Sequence, residues 1–302
     1  MQQDVFKWLS PPDPWKNHHT ACKSRHRDSA EWFVQDNRFL DWKTSDVLGS
    51  LLWVHGKRAL IPNSFALVEA EILFFVAGAG KSVLWYVKIL TFFSGELIEL
   101  GSSRIIEDID AMRNTGQASL AFFYFDFRED QKKNLRGLLS SFLVQLCHQS
   151  DSYCDILSKF HSDHARGSRS PSDNALVGCL KDLLKLPEQA PVYLVVDALD
   201  ECPESSAVLS PRAEVLALIE ELVESQSPNL RMCVTSRPEI DIKDVLGPLI
   251  FRSISLHDEG GQKKDIEDYI KSVIHTHRKN KRWRAKHKQL VIDVLTDKSN
   301  GM

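Results

Sequence analysis

The chain has 302 residues, with 38 Lys and Arg against 41 Asp and Glu and a formal charge of -3. That balance excludes a generally basic nucleic-acid binder and an acidic disordered tail. Hydrophobic residues at 43% and charged residues at 26% are enough to bury a core, in one large domain or two small ones.

Residues 1–14 lack the basic start and apolar stretch of a secretory signal. Six cysteines at irregular spacings read as reduced thiols rather than a disulfide framework, so a cytoplasmic protein is expected. Residues 1–45 are polar with scattered aromatics (Trp8, Trp15, Trp32, Phe33, Phe39, Trp42) and are predicted to be a leader packing short helices or extended pieces on a later core. His18, His19, Cys22 and His26 lie close together but lack the second spaced pair of a zinc site, so a packed or surface cluster is expected. Leu51–His55 is a short apolar run before Gly56, the pattern of a buried parallel strand. Phe65–Ala79 and Trp85–Leu100 are apolar but shorter than the roughly 18–20 residues of a membrane span. Each also carries charge within it (Glu69, Glu71; Lys88, Glu96, Glu99), so no membrane insertion is expected.

Further strands are predicted at Ser119–Phe127, Val192–Val196, Leu230–Thr235 and Ile250–Leu256. Helices are predicted at Ile105–Met112, Leu135–Cys147, Ala175–Leu186, Ala213–Ser225, Asp265–His277 and Lys286–Leu295, with a polar loop at Phe160–Asp173. Strands alternating with helices indicate an α/β fold with a parallel sheet covered on both faces. The basic run Arg278–Lys288 reads as a solvated linker and helix start rather than a nucleic-acid or lipid contact.

Three signals carry chemistry. Ala77-Gly78-Ala79-Gly80-Lys81-Ser82 has the small residues that let backbone N–H groups turn inward around a phosphate. Lys81 would reach the phosphates and Ser82 the Mg²⁺. Second, the strand Val192–Val196 ends in Asp197, rigidly placed to hold Mg²⁺, and Asp200 and Glu201 follow where a carboxylate can orient an attacking water. Third, Thr235-Ser236-Arg237 closes the next strand, and Arg237 could sense a γ-phosphate through its planar fork.

These signals occur in order with WLSPPDP, EWF, GSLLWVHGK, AGAGKSVL, RIIEDI, LAFFYFDFRED, LRGLLSSFLVQL, VYLVVDALDEC, VTSRPE and SISLHDEGGQKKDIEDYI. In this the chain resembles fungal NACHT-type NTPases, specifically the nephrocystin 3-like N-terminal domain, over almost its whole length. The resemblance implies a STAND-class P-loop NTPase: a three-layer sandwich with a parallel central sheet and the start of a C-terminal helical subdomain. It implies a signalling switch that binds ATP and Mg²⁺, turns ATP over slowly and changes how it assembles. By the same match, Gly56, Gly78, Ala79, Gly80, Lys81 and Ser82 bind nucleotide, Ser82 and Asp197 face the metal, and Asp200, Glu201 and Arg237 serve catalysis. Asn280-Lys281-Arg282-Trp283 fails the guanine-reading pattern at its last position, which favours adenine.

The chain departs from the family in one place above all. The pattern G-x-x-x-x-G-K-S needs glycine five positions before Gly80, and Phe75 stands there. Lifting out 58–76 joins Gly56-Lys57 to Ala77 and restores the motif, and lifting out 86–102 joins KSVLW to SRIIEDI. Both segments are therefore read as in-frame translations of unspliced introns, an expectation that a transcript across residues 50–110 tests. The expected organisation is a leader at 1–45, an NTPase core at 46–245 and a truncated helical extension at 246–302, with protein partners or self-assembly through parts beyond Met302. The alternative is a non-catalytic scaffold whose nucleotide site is broken by the first insertion.

Overall fold

The computed structural model describes residues 2–24, 31–56, 102–186, 190–204 and 210–256, with short pieces between 271 and 293. Five strands form one sheet: β1 (Ser50–His55), β2 (Ser119–Tyr124), β3 (Val192–Asp197), β4 (Leu230–Ser236) and β5 (Ile250–Ser255). All neighbours are parallel, in the order β2-β3-β4-β1-β5. Each apolar run predicted as a strand is one, because β-branched and aromatic runs of this length suit a sheet buried on both faces.

The sheet divides its side chains by the two-residue period of the strand. Leu51, Trp53, Ala121, Phe123, Leu194, Val196, Met232 and Val234 point into one core cluster. Leu52, Val54, Leu120, Phe122, Tyr193, Val195, Cys233 and Ile254 point into the other. The first face is covered by helices Leu135–Cys147, Asp151–Asp163, Asp173–Leu184, Pro211–Glu224 and Ile240–Leu246. The second is covered by the helix of residues 102–114, through Ile105, Ile106 and Ile109, and by the N-terminal helices Glu31–Gln35 and Asn37–Thr44. The result is an α/β sandwich of three layers, as expected.

The described residues before β1, 2–24 and 31–44, are bound into both faces. Val5 and Leu9 of helix Gln2–Leu9 join the first cluster, while Phe33, Phe39 and Trp42 are fully buried in the second. Trp42 also donates its indole N–H to the carbonyl of Ser50 at 3.2 Å, tying the leader to the first residue of β1.

Helix starts follow local chemistry. Asn134, Ser172 and Ser210 each accept a backbone N–H three residues on, and Pro211 occupies the first helical position of its helix. The outer edge of β2 is closed by two glutamines. Gln145 accepts from the N–H of Phe122 and donates to its carbonyl (3.1 and 2.7 Å). Gln149 does the same with Leu120 (2.9 and 2.6 Å). An edge strand left open is a template for another chain, and these side-chain amides stand in for a missing strand.

Two elements differ from expectation. Helix Asp151–Asp163 was not predicted and runs into the loop expected from Phe160. Its buried face is Tyr153, Cys154, Leu157 and His161, so its spacing is helical while only one member is aliphatic. The sheet also continues past the boundary expected at residue 245, because β5 pairs with β1. Most of 257–302, including the helices expected at 265–277 and 286–295, lies outside the described residues, as do 58–76 and 86–101. Ser102, the last residue of the second expected insertion, is buried in the helix of residues 102–114. No helix among the described residues is long and apolar enough to cross a membrane.

Candidate nucleotide site at the carboxyl edge of the sheet

β1 and β4 are neighbours, and the next described elements after them pack on opposite faces: the helix of residues 102–114 in the second cluster and helix Ile240–Leu246 in the first. Where neighbouring strands part in this way, a crevice opens beyond their carboxyl ends, and ligands of open α/β sheets bind there.

Gly56, directly after β1, lies at this crevice with its N–H on the carbonyl of Ser236 (3.4 Å). The hydroxyl of Ser236 accepts the indole N–H of Trp53 at 2.9 Å, a second tie between β1 and β4. Asp197 ends β3 and is 1% exposed. Its Oδ1 accepts the hydroxyl of Thr235 on β4 at 2.5 Å, and Thr235 Oγ1 accepts the N–H of Ala198 at 3.0 Å. Ala198 holds φ +54°, a left-handed conformation that costs a non-glycine residue about 1 kcal/mol. The hydrogen bond that its N–H donates to Thr235 helps keep it there, where the chain turns sharply into the acidic segment.

Asp200 and Arg237 face each other. The carboxylate of Asp200, 6% exposed, accepts the backbone N–H of Arg237 at 3.0 Å and pairs with its Nε at 3.2 Å. Asp200 therefore holds Arg237, and Glu201 is left as the acid that lines the adjacent cavity together with Asp197. That cavity, about 380 Å³, is walled by Tyr124 and Phe125, by Asp126, Arg128 and Glu129, and by Lys16, Asn17 and Thr20 of helix Trp15–Ser24. One oxygen of Glu201 accepts the N–H of Phe127 at 3.4 Å.

The helix at the cavity wall is docked by polar contacts. Lys132, 1% exposed, donates to Asn17 Oδ1 at 2.6 Å and pairs with Glu129 at 3.1 Å, while Lys16 reaches the other oxygen of Glu129 at 2.6 Å. His18 meets the Tyr124 hydroxyl at 3.1 Å, and Cys22 lies 3.5 Å from His18 and 3.3 Å from Glu107. This is the packed cluster expected from the sequence; His26 lies outside the described residues. Among the described residues the acidic group Glu204, Glu239 and Asp241 surrounds Arg212 rather than a free space.

The Arg128 guanidinium beside Asp126 holds its buried carboxyl below the usual aspartate range. A folded value below the unfolded one stabilises the fold above the unfolded value, and that stabilisation is lost as pH falls through the folded value. Denaturant titrations from neutral pH to about pH 2 are expected to show stability falling below about pH 4. Asp126→Asn should lower neutral stability and flatten that acid limb; an unchanged slope would remove Asp126 from the account.

Of the residues singled out from sequence, the structure brings Gly56, Asp197, Asp200, Glu201 and Arg237 to one edge. Gly78, Ala79, Gly80, Lys81 and Ser82 lie outside the described residues. Sequence reasoning missed the role of Arg212, which is 5% exposed and joins the loops after β3 and β4. It donates to the carbonyls of Asp200 (2.7 Å) and Cys202 (2.9 Å) and pairs with Glu239 (2.5 Å) and Asp241 (3.2 Å). The only sequence signal is an arginine on the apolar face of a helix, and its partners are not legible locally.

Residues 99–237 match the family described as nephrocystin 3, N-terminal. That stretch, a little under half of the chain, is similar to the nephrocystin 3 N-terminal family. The matched range takes in β2, β3 and β4, and with them Asp197, Asp200, Glu201, Arg212 and Arg237. β1, Gly56 and residues 77–82 precede it. No curated protein matches the chain.

Proposed function

We propose that this chain is an ATP-binding, NACHT-like domain of the STAND class: a nucleotide-dependent switch for assembly that acts in the cytoplasm. The observation that carries the reading is that Gly56, Asp197 and Arg237 stand at the carboxyl ends of the neighbouring strands β1, β3 and β4, with Glu201 and Asp197 in the wall of the cavity beside them. The residues described at the carboxyl edge fit Mg²⁺. Asp197 is a hard oxygen donor at the rigid end of a strand, steered by Thr235, and hard cations take such oxygens. When bound, Mg²⁺ would neutralise charge on the phosphates.

The chain's own residues divide the remaining work. Lys81 and the N–H groups of 78–82 bind phosphate, and Ser82 with Asp197 would hold the metal. Glu201, in the cavity wall, orients water. Arg237, kept in place by Asp200, senses the terminal phosphate. Turnover in such a switch is slow and serves to change state. The competing reading is an interaction scaffold without nucleotide, favoured by Phe75 standing where the phosphate loop requires glycine.

ATP binding measured with and without Mg²⁺ on the parent chain and on Asp197→Asn tests the proposal. Asn keeps an acceptor for Thr235, so folding should survive. The mutant is expected to bind MgATP roughly 10–100-fold more weakly, with metal-free ATP binding unchanged. Equal MgATP binding by parent and mutant would overturn the assignment of Asp197, and absence of ATP binding in both would favour the scaffold.

A further inference from the structure

None of the six cysteines is in a disulfide, and two of them meet. Cys147 is the last residue of helix Leu135–Cys147 and Cys154 lies in the first turn of helix Asp151–Asp163. Their sulfurs are 2.8 Å apart, less than an ångström longer than a disulfide bond of roughly 2.05 Å. The tight turn at 148–150 brings them together, and helix Gln2–Leu9 packs over it through Phe6 on His148, ring centroids 4.4 Å apart. The nucleotide site uses neither thiol.

We propose that Cys147 and Cys154 form a modification site: a buried dithiol that closes to an intramolecular disulfide when it meets a peroxide. Cys154 is the attacking sulfur. It is the more exposed of the two, 8% against 4%, and so the first that a peroxide reaches. Cys147 is the resolving sulfur, since burial pushes its thiol up to about 12 and keeps it protonated until it reacts. The sulfur of Cys154 attacks one peroxide oxygen and the O–O bond breaks. One oxygen stays as a sulfenic acid, and the other leaves as water with the thiol proton. The sulfur of Cys147 then attacks that of Cys154, the S–O bond breaks, and a second water carries off the hydroxyl and the remaining proton. Two thiols and one peroxide become one disulfide and two waters; the sulfurs lose two electrons and the peroxide gains them.

Among the described residues the sulfur–sulfur contact is that of Cys147 with Cys154, and Cys179 acts on Cys147 only through its charge. Cys202 donates to the carbonyl of Lys133 at 3.3 Å, and burial pushes Cys179 and Cys202 up to about 12 and Cys233 higher still.

The folded full chain is treated with graded hydrogen peroxide, remaining thiols are alkylated after unfolding, and peptides are analysed by mass spectrometry. The expected product links Cys147 to Cys154, lacks two hydrogens and reverts with dithiothreitol. It should form at a peroxide concentration roughly tenfold below that oxidising Cys179, Cys202 or Cys233. In Cys147→Ser, dimedone should trap a sulfenic acid at Cys154. The proposal is overturned if Cys147 and Cys154 stay reduced while the other buried thiols oxidise, if all oxidise together, or if either pairs elsewhere. The parent chain alone decides these outcomes, so a variant that fails to fold does not shield the proposal.

Discussion

Arg212→Ala is expected to cost about 3–5 kcal/mol of folding stability, the largest effect of any single side chain at the site. Arg212 lies 5% exposed between the loops that follow β3 and β4. Its removal strands the carbonyls of Asp200 and Cys202, both of which it satisfies directly. It also leaves Glu239 and Asp241 facing each other without a cation between them. The two carbonyls left without a donor carry most of that cost, at about 1–3 kcal/mol each, since Glu239 and Asp241 are 38% and 32% exposed and remain within reach of water. Glu204 provides the contrast: it pairs with the same guanidinium at 3.6 Å but is 60% exposed, so Glu204→Ala should cost less than about 1 kcal/mol. Urea denaturation of both variants checks this, and an Arg212→Ala loss no larger than that of Glu204→Ala would show that water replaces the guanidinium. The same variant should loosen the Asp200–Arg237 pair, since Arg212 grips the backbone of Asp200.

MgATP binding should strengthen roughly a hundredfold or more, about 2.7 kcal/mol, when residues 58–76 and 86–102 are removed from the chain. The reason is a spacing rather than a new contact. A phosphate nest works when successive N–H groups turn inward directly after the strand that anchors them. Gly56 is that anchor: its N–H is held on Ser236 at the carboxyl end of the sheet. In the shortened chain Gly56 stands five residues before Gly80, the interval of G-x-x-x-x-G-K-S; in the chain as written, Phe75 occupies that position. Calorimetric titration of both chains, with Lys81→Ala in the shortened one as a control, reads the effect. Equal affinity of the two chains would refute the interruption. No binding by either would favour the scaffold, and binding that survives Lys81→Ala would place the ligand elsewhere.

The strands were legible because their signal is local. Leu51–His55 and Val192–Val196 are runs with no room for a helical polar face, and each appears where expected. The acids after β3 were legible for the same reason, since a strand that ends in Asp announces its own tip. Helix Asp151–Asp163 was not, because Tyr, Cys and His make up most of its buried face. Its two-thiol contact with the preceding helix was hidden with it. The division of labour between Asp200 and Glu201 was equally out of reach. Adjacent carboxylates look alike in sequence, and only the placement of Arg237 shows that one pairs with a guanidinium while the other lines the cavity.

The sequence by itself determined the class of the fold, its five strands and the residues that close them, because alternating strand and helix patterns are set by neighbours in the chain. The order of those strands was decided only in three dimensions. β1 settles between β4 and β5, far along the chain from both, because the helices on either side must bury opposite faces of one sheet. That placement brings Gly56 to Ser236, Thr235 to Asp197 and Asp200 to Arg237. It also encloses Arg212 among carboxylates from two segments, one after β3 and one after β4. Each of these contacts depends on strand neighbours chosen by burial of whole faces, so no local pattern encodes them.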